Sequence, residues 1–77
     1  MEGDMLRDLI YRLGIRAVAR ECGVYPGAVR YWAEHGLPDA PGHAKKRQRY
    51  ERVLARMAGM RVGELRDMIR QEEGQAA

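Results

Sequence analysis

The sequence predicts an all-α fold of five helices, and three features of the residue pattern support that expectation. Apolar residues recur at intervals of three and four in five successive stretches, which is the period of an amphipathic helix. Glycines separate these stretches where a helix should stop. No stretch shows the strict alternation of apolar and polar residues that is typical of a half-buried strand. The predicted helices cover residues 1–13, 15–22, 26–35, 43–58 and 62–71.

The first, fourth and fifth predicted helices each carry an apolar face that should pack into one core. The first helix ends at Gly14 and the fourth, after a proline-rich loop, ends at Gly59. We expect a single domain over residues 1–71 and a frayed tail over residues 72–77. The residues predicted to form these apolar faces are Met5, Leu6, Leu9, Ile10, Leu13, Tyr50, Val53, Leu54, Met57, Val62, Leu65, Met68 and Ile69.

The stretch between these helices, residues 15–34, predicts two short helices joined by a tight turn. Gly23 stands where the chain should turn with a positive φ. Pro26 suits the first position of the second helix, because its missing N–H would be unpaired there anyway. The predicted apolar stripes are Val18, Ala19 and Cys22 on the first helix and Val29, Trp32 and Ala33 on the second, with Gly27, Arg30, Tyr31 and Glu34 on its opposite face.

This pattern resembles the helix-turn-helix of bacterial DNA-binding proteins. That motif needs a small residue where the helices cross, a glycine in the turn and apolar residues at five other positions. The chain has Ala19, Gly23, and then Val18, Cys22, Val24, Val29 and Trp32 at those positions. Within this class, the run Gly23-Val24-Tyr25, with Ala28-Val29 and the closing His35-Gly36, resembles the phage Cro and repressor family of lambda-repressor-like domains over roughly residues 5–38.

The resemblance implies a sequence-specific, double-stranded DNA-binding transcription regulator, a Cro-type repressor of phage or prophage origin. The second helix of the motif would lie in the major groove, where an arginine can bind guanine O6 and N7 together. The residues expected to read bases are Pro26, Gly27, Arg30 and Tyr31. The chain departs from the family at Pro26 and Gly27, where Gln and Ser are frequent, so two usual base-reading side chains are missing.

Cations are concentrated at the start of the fourth predicted helix. Residues 43–56 hold six of the 14 Lys and Arg residues against one carboxylate, Glu51. Cations in a first helical turn oppose the macrodipole, and a DNA phosphate there would relieve that conflict. The alternative is a solvated basic face with a compensating carboxylate nearby. The residues expected to contact phosphate are Arg16, Tyr25, Lys45, Lys46, Arg47 and Arg49.

The composition argues against several other classes of protein. A chain of 77 residues gives one small domain, and no run approaches the roughly 20 apolar residues of a membrane span. A single cysteine, Cys22, cannot form an internal disulfide and fits a reducing cytoplasm. Ser and Thr are absent, no pair of groups suggests catalysis, and Cys and His lack zinc-type spacing. We therefore expect no enzyme, cofactor, metal site or small-molecule ligand.

The apolar stripe of the fifth helix predicts a homodimer. Leu65, Met68 and Ile69 recur at i, i+3 and i+4, while the first three helices already cover much of the inner surface of so small a domain. Part of the stripe should then stay exposed and pair with a second copy on a palindromic operator. The alternative is that the stripe closes the core of a monomer.

Two other functions fit parts of the sequence. Residues 29–38, with Arg49-Tyr50 beyond them, also resemble the winged helix-turn-helix of MerR-like regulators and excisionases. Those proteins lack a helix before the motif, and a strand pair within residues 37–50 would support this alternative. The other candidate is a protein-binding adaptor, such as an antitoxin or an RNA polymerase-binding factor, which would show no salt-dependent DNA binding.

Overall fold

A computed structural model describes the chain over residues 4–38 and 42–76, with side chains over residues 5–38 and 42–71, and it is all-α there. Helix α1 spans Asp4–Leu13, α2 Ile15–Cys22, α3 Pro26–His35, α4 Ala44–Ala58 and α5 Val62–Ala76. These five helices confirm the predicted fold class. We call Ile15–His35, which contains α2, the turn and α3, the α2–α3 unit.

Helix α1 is central to the core because it contacts each of the other four helices. The residues predicted to form the stripes of α2 and α3 are buried, as expected. The buried apolar side chains are Leu6, Leu9, Ile10, Val18, Ala19, Cys22, Val29, Trp32, Ala33, Leu37, Leu54, Ala55, Leu65 and Ile69.

The turn between α2 and α3 depends on Gly23. Its backbone has φ 71° and ψ 35°, in the left-handed region where a side chain is strained. The Gly23 N–H donates to the carbonyl of Arg20 at 3.3 Å. The next N–H, of Val24, donates to the carbonyl of Ala19 at 3.0 Å. These bonds satisfy two carbonyls that the end of α2 would leave unpaired, so the chain can turn at once into α3.

Glu51 is a buried charge that joins α4 to α5. Its carboxylate accepts a hydrogen bond from Arg66 Nε at 2.9 Å and lies 3.4 Å from Arg47 Nε. The side chain is only 7% exposed, so the two guanidinium groups must offset the cost of removing the charge from water. Glu51 is thus the compensating carboxylate that the sequence left open as an alternative for Arg47.

Two of the three residues predicted to form a dimer interface lie in the chain's own core. Leu65 is fully buried and Ile69 is 5% exposed, whereas Met68 is half-buried. Helix α5 packs against both α1 and α4, and those helices cover the stripe. The prediction that Leu65 and Ile69 face a second copy is therefore wrong, because the monomer needs both to close its core.

Two details at the ends of the chain differ from the prediction. Helix α5 extends to Ala76, five residues beyond the predicted end at Gln71. The final residue lies outside the described residues. Met5, predicted to lie on the apolar face of α1, is 46% exposed. It lies about 40° around α1 from Leu9, the nearest buried residue on that side, at the edge of the apolar face.

No strand occurs in the part of the chain that the structure describes, including residues 37–38 and 42–50. The winged alternative requires a strand pair in that region, of which residues 39–41 lie outside the described residues. Winged proteins of that type also have no helix before the motif. Here α1 precedes the motif and contacts every other helix. The described fold therefore gives the winged alternative no support.

The Glu51 interaction predicts a measurable loss of stability when its charge is removed. Glu51→Gln keeps the side-chain shape but leaves two guanidinium groups facing a neutral amide. We expect the free energy of unfolding to fall by about 1.5–3 kcal/mol, as for hydrogen bonds to charged groups. Urea denaturation followed by circular dichroism measures this. The matched control, Glu34→Gln on the exposed face of α3, should change stability by less than about 0.5 kcal/mol. Equal effects of the two variants would contradict the structural role of Glu51.

Candidate nucleic-acid interface

One face of α3 is exposed, and it carries the side chains predicted to read bases. The opposite face is fixed in the core by Val29, Trp32 and Ala33. A helix anchored along one side cannot rotate, so its outer face keeps one orientation relative to the domain. The exposed residues of that face are Gly27, Arg30, Tyr31 and Glu34.

Tyr31 stays at the surface and does not pack on the ring of Trp32. Its side chain is 61% exposed, and its ring contacts His35 with the ring centroids 4.5 Å apart. The Trp32 ring instead contacts Tyr50 of α4, also with 4.5 Å between centroids. Tyr31 and His35 therefore form an exposed aromatic pair next to Arg30, one helical turn apart on α3.

The N-terminal end of α3 is open to solvent. Tyr25 precedes the helix in an extended conformation and is 86% exposed, and Pro26 is exposed at the first helical position. A Cβ atom at Gly27 would meet no atom within 4 Å. The packing of the chain itself therefore places no demand on Gly27, and the backbone there is accessible to a large ligand.

The cations at the start of α4 fall into two groups. Lys45 and Lys46 are exposed, as a phosphate contact requires. Arg47 is only 21% exposed and forms the ion pair with Glu51, and its Nη1 lies 3.5 Å from the carbonyl oxygen of Leu37. Arg47 therefore holds α4 to the segment that follows α3 and is less available for the predicted phosphate contact than the two lysines.

Two further arginines of α4 contact the last turn of α2. Arg49 Nη2 donates to the carbonyl oxygen of Cys22 at 2.9 Å, and Arg56 Nη2 donates to Glu21 Oε1 at 3.1 Å. Neither contact is predictable from the sequence, because partners 27 and 35 residues apart leave no periodic signal. Arg16, in the first turn of α2, is exposed and stays a candidate for phosphate contact.

Three helix N-termini lack any negative charge. Helices α2, α3 and α4 have no acidic residue in the first turn and no side-chain cap. Helix α5 differs, because Glu64 accepts a hydrogen bond from the Arg61 N–H at 3.1 Å. The positive ends of the α2, α3 and α4 dipoles thus have no carboxylate in the first helical turn. Lys45 and Lys46 add further positive charge at the start of α4.

Cys22 is a buried thiol in the hydrophobic core. Its side chain is 1% exposed, and burial raises its pKa, although the nearby Arg49 guanidinium lowers it in part. The thiol therefore stays neutral and shielded near pH 7, as its place on the apolar stripe of α2 predicts.

Comparison with protein-family models, curated proteins and solved structures gives no significant match. Among the described residues, no three His, Cys, Asp or Glu side chains are grouped closely enough to hold a metal ion. No helix of that same part is both long and apolar enough to cross a membrane. The described chain presents one polar helix face on α3 and one basic helix start on α4.

Proposed function

We propose that the chain is a sequence-specific double-stranded DNA-binding transcription regulator, and that its α2–α3 unit is a helix-turn-helix of the lambda-repressor-like type. The observation that carries the proposal is α3, which is buried along one face and exposes Gly27, Arg30 and Tyr31 along the other. Such a helix fits the major groove of B-DNA, which is about 12 Å wide. The left-handed Gly23, where the motif needs glycine, supports the same reading. The specific role that we propose is a cytoplasmic, Cro-type repressor.

In the proposed complex, the N-terminal half of α3 lies nearest the bases. Arg30 can donate two hydrogen bonds to guanine O6 and N7. Tyr31 can contact a thymine methyl group, and Pro26 offers a second apolar contact. Gly27 lets the helix backbone approach the base edges, because no side chain stands between them.

The phosphates on either side of the groove would bind exposed groups of three helices. Arg16 lies at the start of α2, the Tyr25 hydroxyl precedes α3, and Lys45 and Lys46 lie at the start of α4. The N-termini of these three helices, which lack carboxylates, favour an anion through their backbone N–H groups and dipoles. An anion would also offset the cost of placing two lysines at the positive end of α4.

Salt dependence of DNA binding is the direct test of this proposal. Three exposed cations, Arg16, Lys45 and Lys46, predict that the logarithm of the association constant falls against the logarithm of salt concentration with a slope of about −2.7 per subunit. Fluorescence anisotropy with a labelled duplex at several salt concentrations measures the slope. Arg70→Ala, which removes an exposed cation from α5, should leave it unchanged. Affinity that does not vary with salt would favour the protein-binding adaptor instead.

Base readout and phosphate contact predict different effects of two substitutions. Arg30→Ala should cost roughly 1–3 kcal/mol on the preferred duplex and relax the preference at one base position. Lys46→Ala should weaken binding to all duplexes alike and make the salt slope shallower by about 0.9. Selection from random duplexes, followed by titration of the preferred and a scrambled duplex, separates the two. If Arg30→Ala weakens both duplexes equally, Arg30 is a phosphate ligand and not a base-reading residue.

A homodimer on a palindromic operator is part of the proposal, but its interface must lie outside the buried residues of α5. Two α3 helices about 34 Å apart would match successive major grooves on one side of the duplex. Met68 is half-buried and can contribute only the edge of such an interface. Sedimentation equilibrium at tens of micromolar should give twice the mass of 8.8 kDa. A monomer there, with one protein per duplex in the complex, would remove the dimer from the proposal.

A further inference from the structure

A line of cations follows one side of α4 and meets the end of α2. Its members are spaced at i, i+4, i+7 and i+11, so they share one face of the helix. Two of them are tied to the last turn of α2, one to a main-chain carbonyl and one to a carboxylate. The members of this line are Lys45, Arg49, Arg52 and Arg56.

The contact made by Arg49 is the more specific of the two. Its guanidinium donates at 2.9 Å to the Cys22 carbonyl, at the negative end of the α2 dipole. A Cβ atom at Gly23 would lie 3.1 Å from the same Nη2 atom. The guanidinium therefore lies close to the backbone of the turn, and a side chain at position 23 would displace it by a few tenths of an ångström. The positive φ of Gly23 separately favours glycine at this position.

A second contact fixes α4 relative to α3. The Tyr50 ring, adjacent to Arg49 in sequence, contacts the Trp32 ring of α3. Lys45 and Lys46 lie one helical turn before Arg49 and Tyr50, so a rotation or shift of α4 would displace both lysines relative to α3.

We infer that Arg49 is a positioning residue of the DNA-binding surface and not one of its phosphate ligands. By binding the Cys22 carbonyl beside Gly23, it sets the distance between the base-reading face of α3 and the lysines of α4. Those two parts of the surface must meet the groove and the backbone of one duplex at the same time, so specific binding depends on their relative position. The inference rests on the proposed function.

The inference is tested by two substitutions of Arg49 and a matched control. Arg49→Met removes the charge and the donor but keeps a long apolar stem. Arg49→Lys keeps a charge able to bind phosphate but loses the planar donor group that reaches the carbonyl. Arg52→Met removes a neighbouring exposed cation of the same line. Each variant is titrated with the preferred and a scrambled duplex over a salt series, and amide hydrogen exchange at Gly23 and Val24 is measured without DNA.

We expect Arg49→Met to lower the preference for the chosen duplex about tenfold and to speed exchange at the turn by a similar factor. The salt slope of Arg49→Met should equal that of the unmodified protein. Arg49→Lys should not restore the preference for the chosen duplex. Arg52→Met should leave amide exchange at the turn unchanged. If Arg49→Met does not fold, Arg49→Lys alone tests the inference through the same lost preference and faster exchange.

Three results would overturn the inference. A salt slope shallower by about 0.9 on both duplexes, restored by Arg49→Lys, would make Arg49 a phosphate ligand. Unchanged preference or unchanged exchange in the Arg49 variants would remove its positioning role while leaving DNA binding in place. Absence of binding to any duplex by the unmodified protein would instead reject the proposed function, and the inference with it.

Discussion

The close packing of α2 on α3 around the left-handed Gly23 is the constraint on which the other helices depend. It joins two short helices into one unit in which the apolar stripe of each helix is buried from solvent. A chain of 77 residues has little further surface to bury, so α1 must contact all four other helices to complete the core. The burial that stabilises the domain therefore also fixes which face of α3 meets solvent.

The absence of Ser, Thr and Asn shapes how the helices begin and end. Their C-terminal ends use glycine, as at Gly23 and Gly59, which both adopt the left-handed conformation. Without these residues, few side chains in the sequence can cap a helix N-terminus well. Among α2 to α5, the only side-chain cap in the described residues is Glu64 at the start of α5. Helix starts without a side-chain cap leave backbone N–H groups without a protein partner, which is a cost to the folded protein.

The cations of α4 differ in whether they bind oxygens of the protein itself or are exposed to solvent. Arg47, Arg49 and Arg56 are engaged with the protein itself, through a buried carboxylate, a main-chain carbonyl and a surface carboxylate respectively. Lys45 and Lys46 extend into solvent at the helix start. Arginine suits contacts within the protein because its planar group binds an oxygen in a fixed direction, whereas lysine is a flexible point charge.

Local sequence patterns were enough to predict the all-α class, most helix boundaries, the buried stripes of the α2–α3 unit and the exposed face of α3. Those features follow from helical periodicity and from glycine and proline preferences, which act between residues close in the chain. The tertiary structure alone decided the partners of Arg49 and Arg66 and the burial of Leu65 and Ile69. Each depends on how α4 and α5 pack against helices distant in the chain. A periodic pattern shows which face of a helix is apolar or charged, but it does not show which other helix that face contacts.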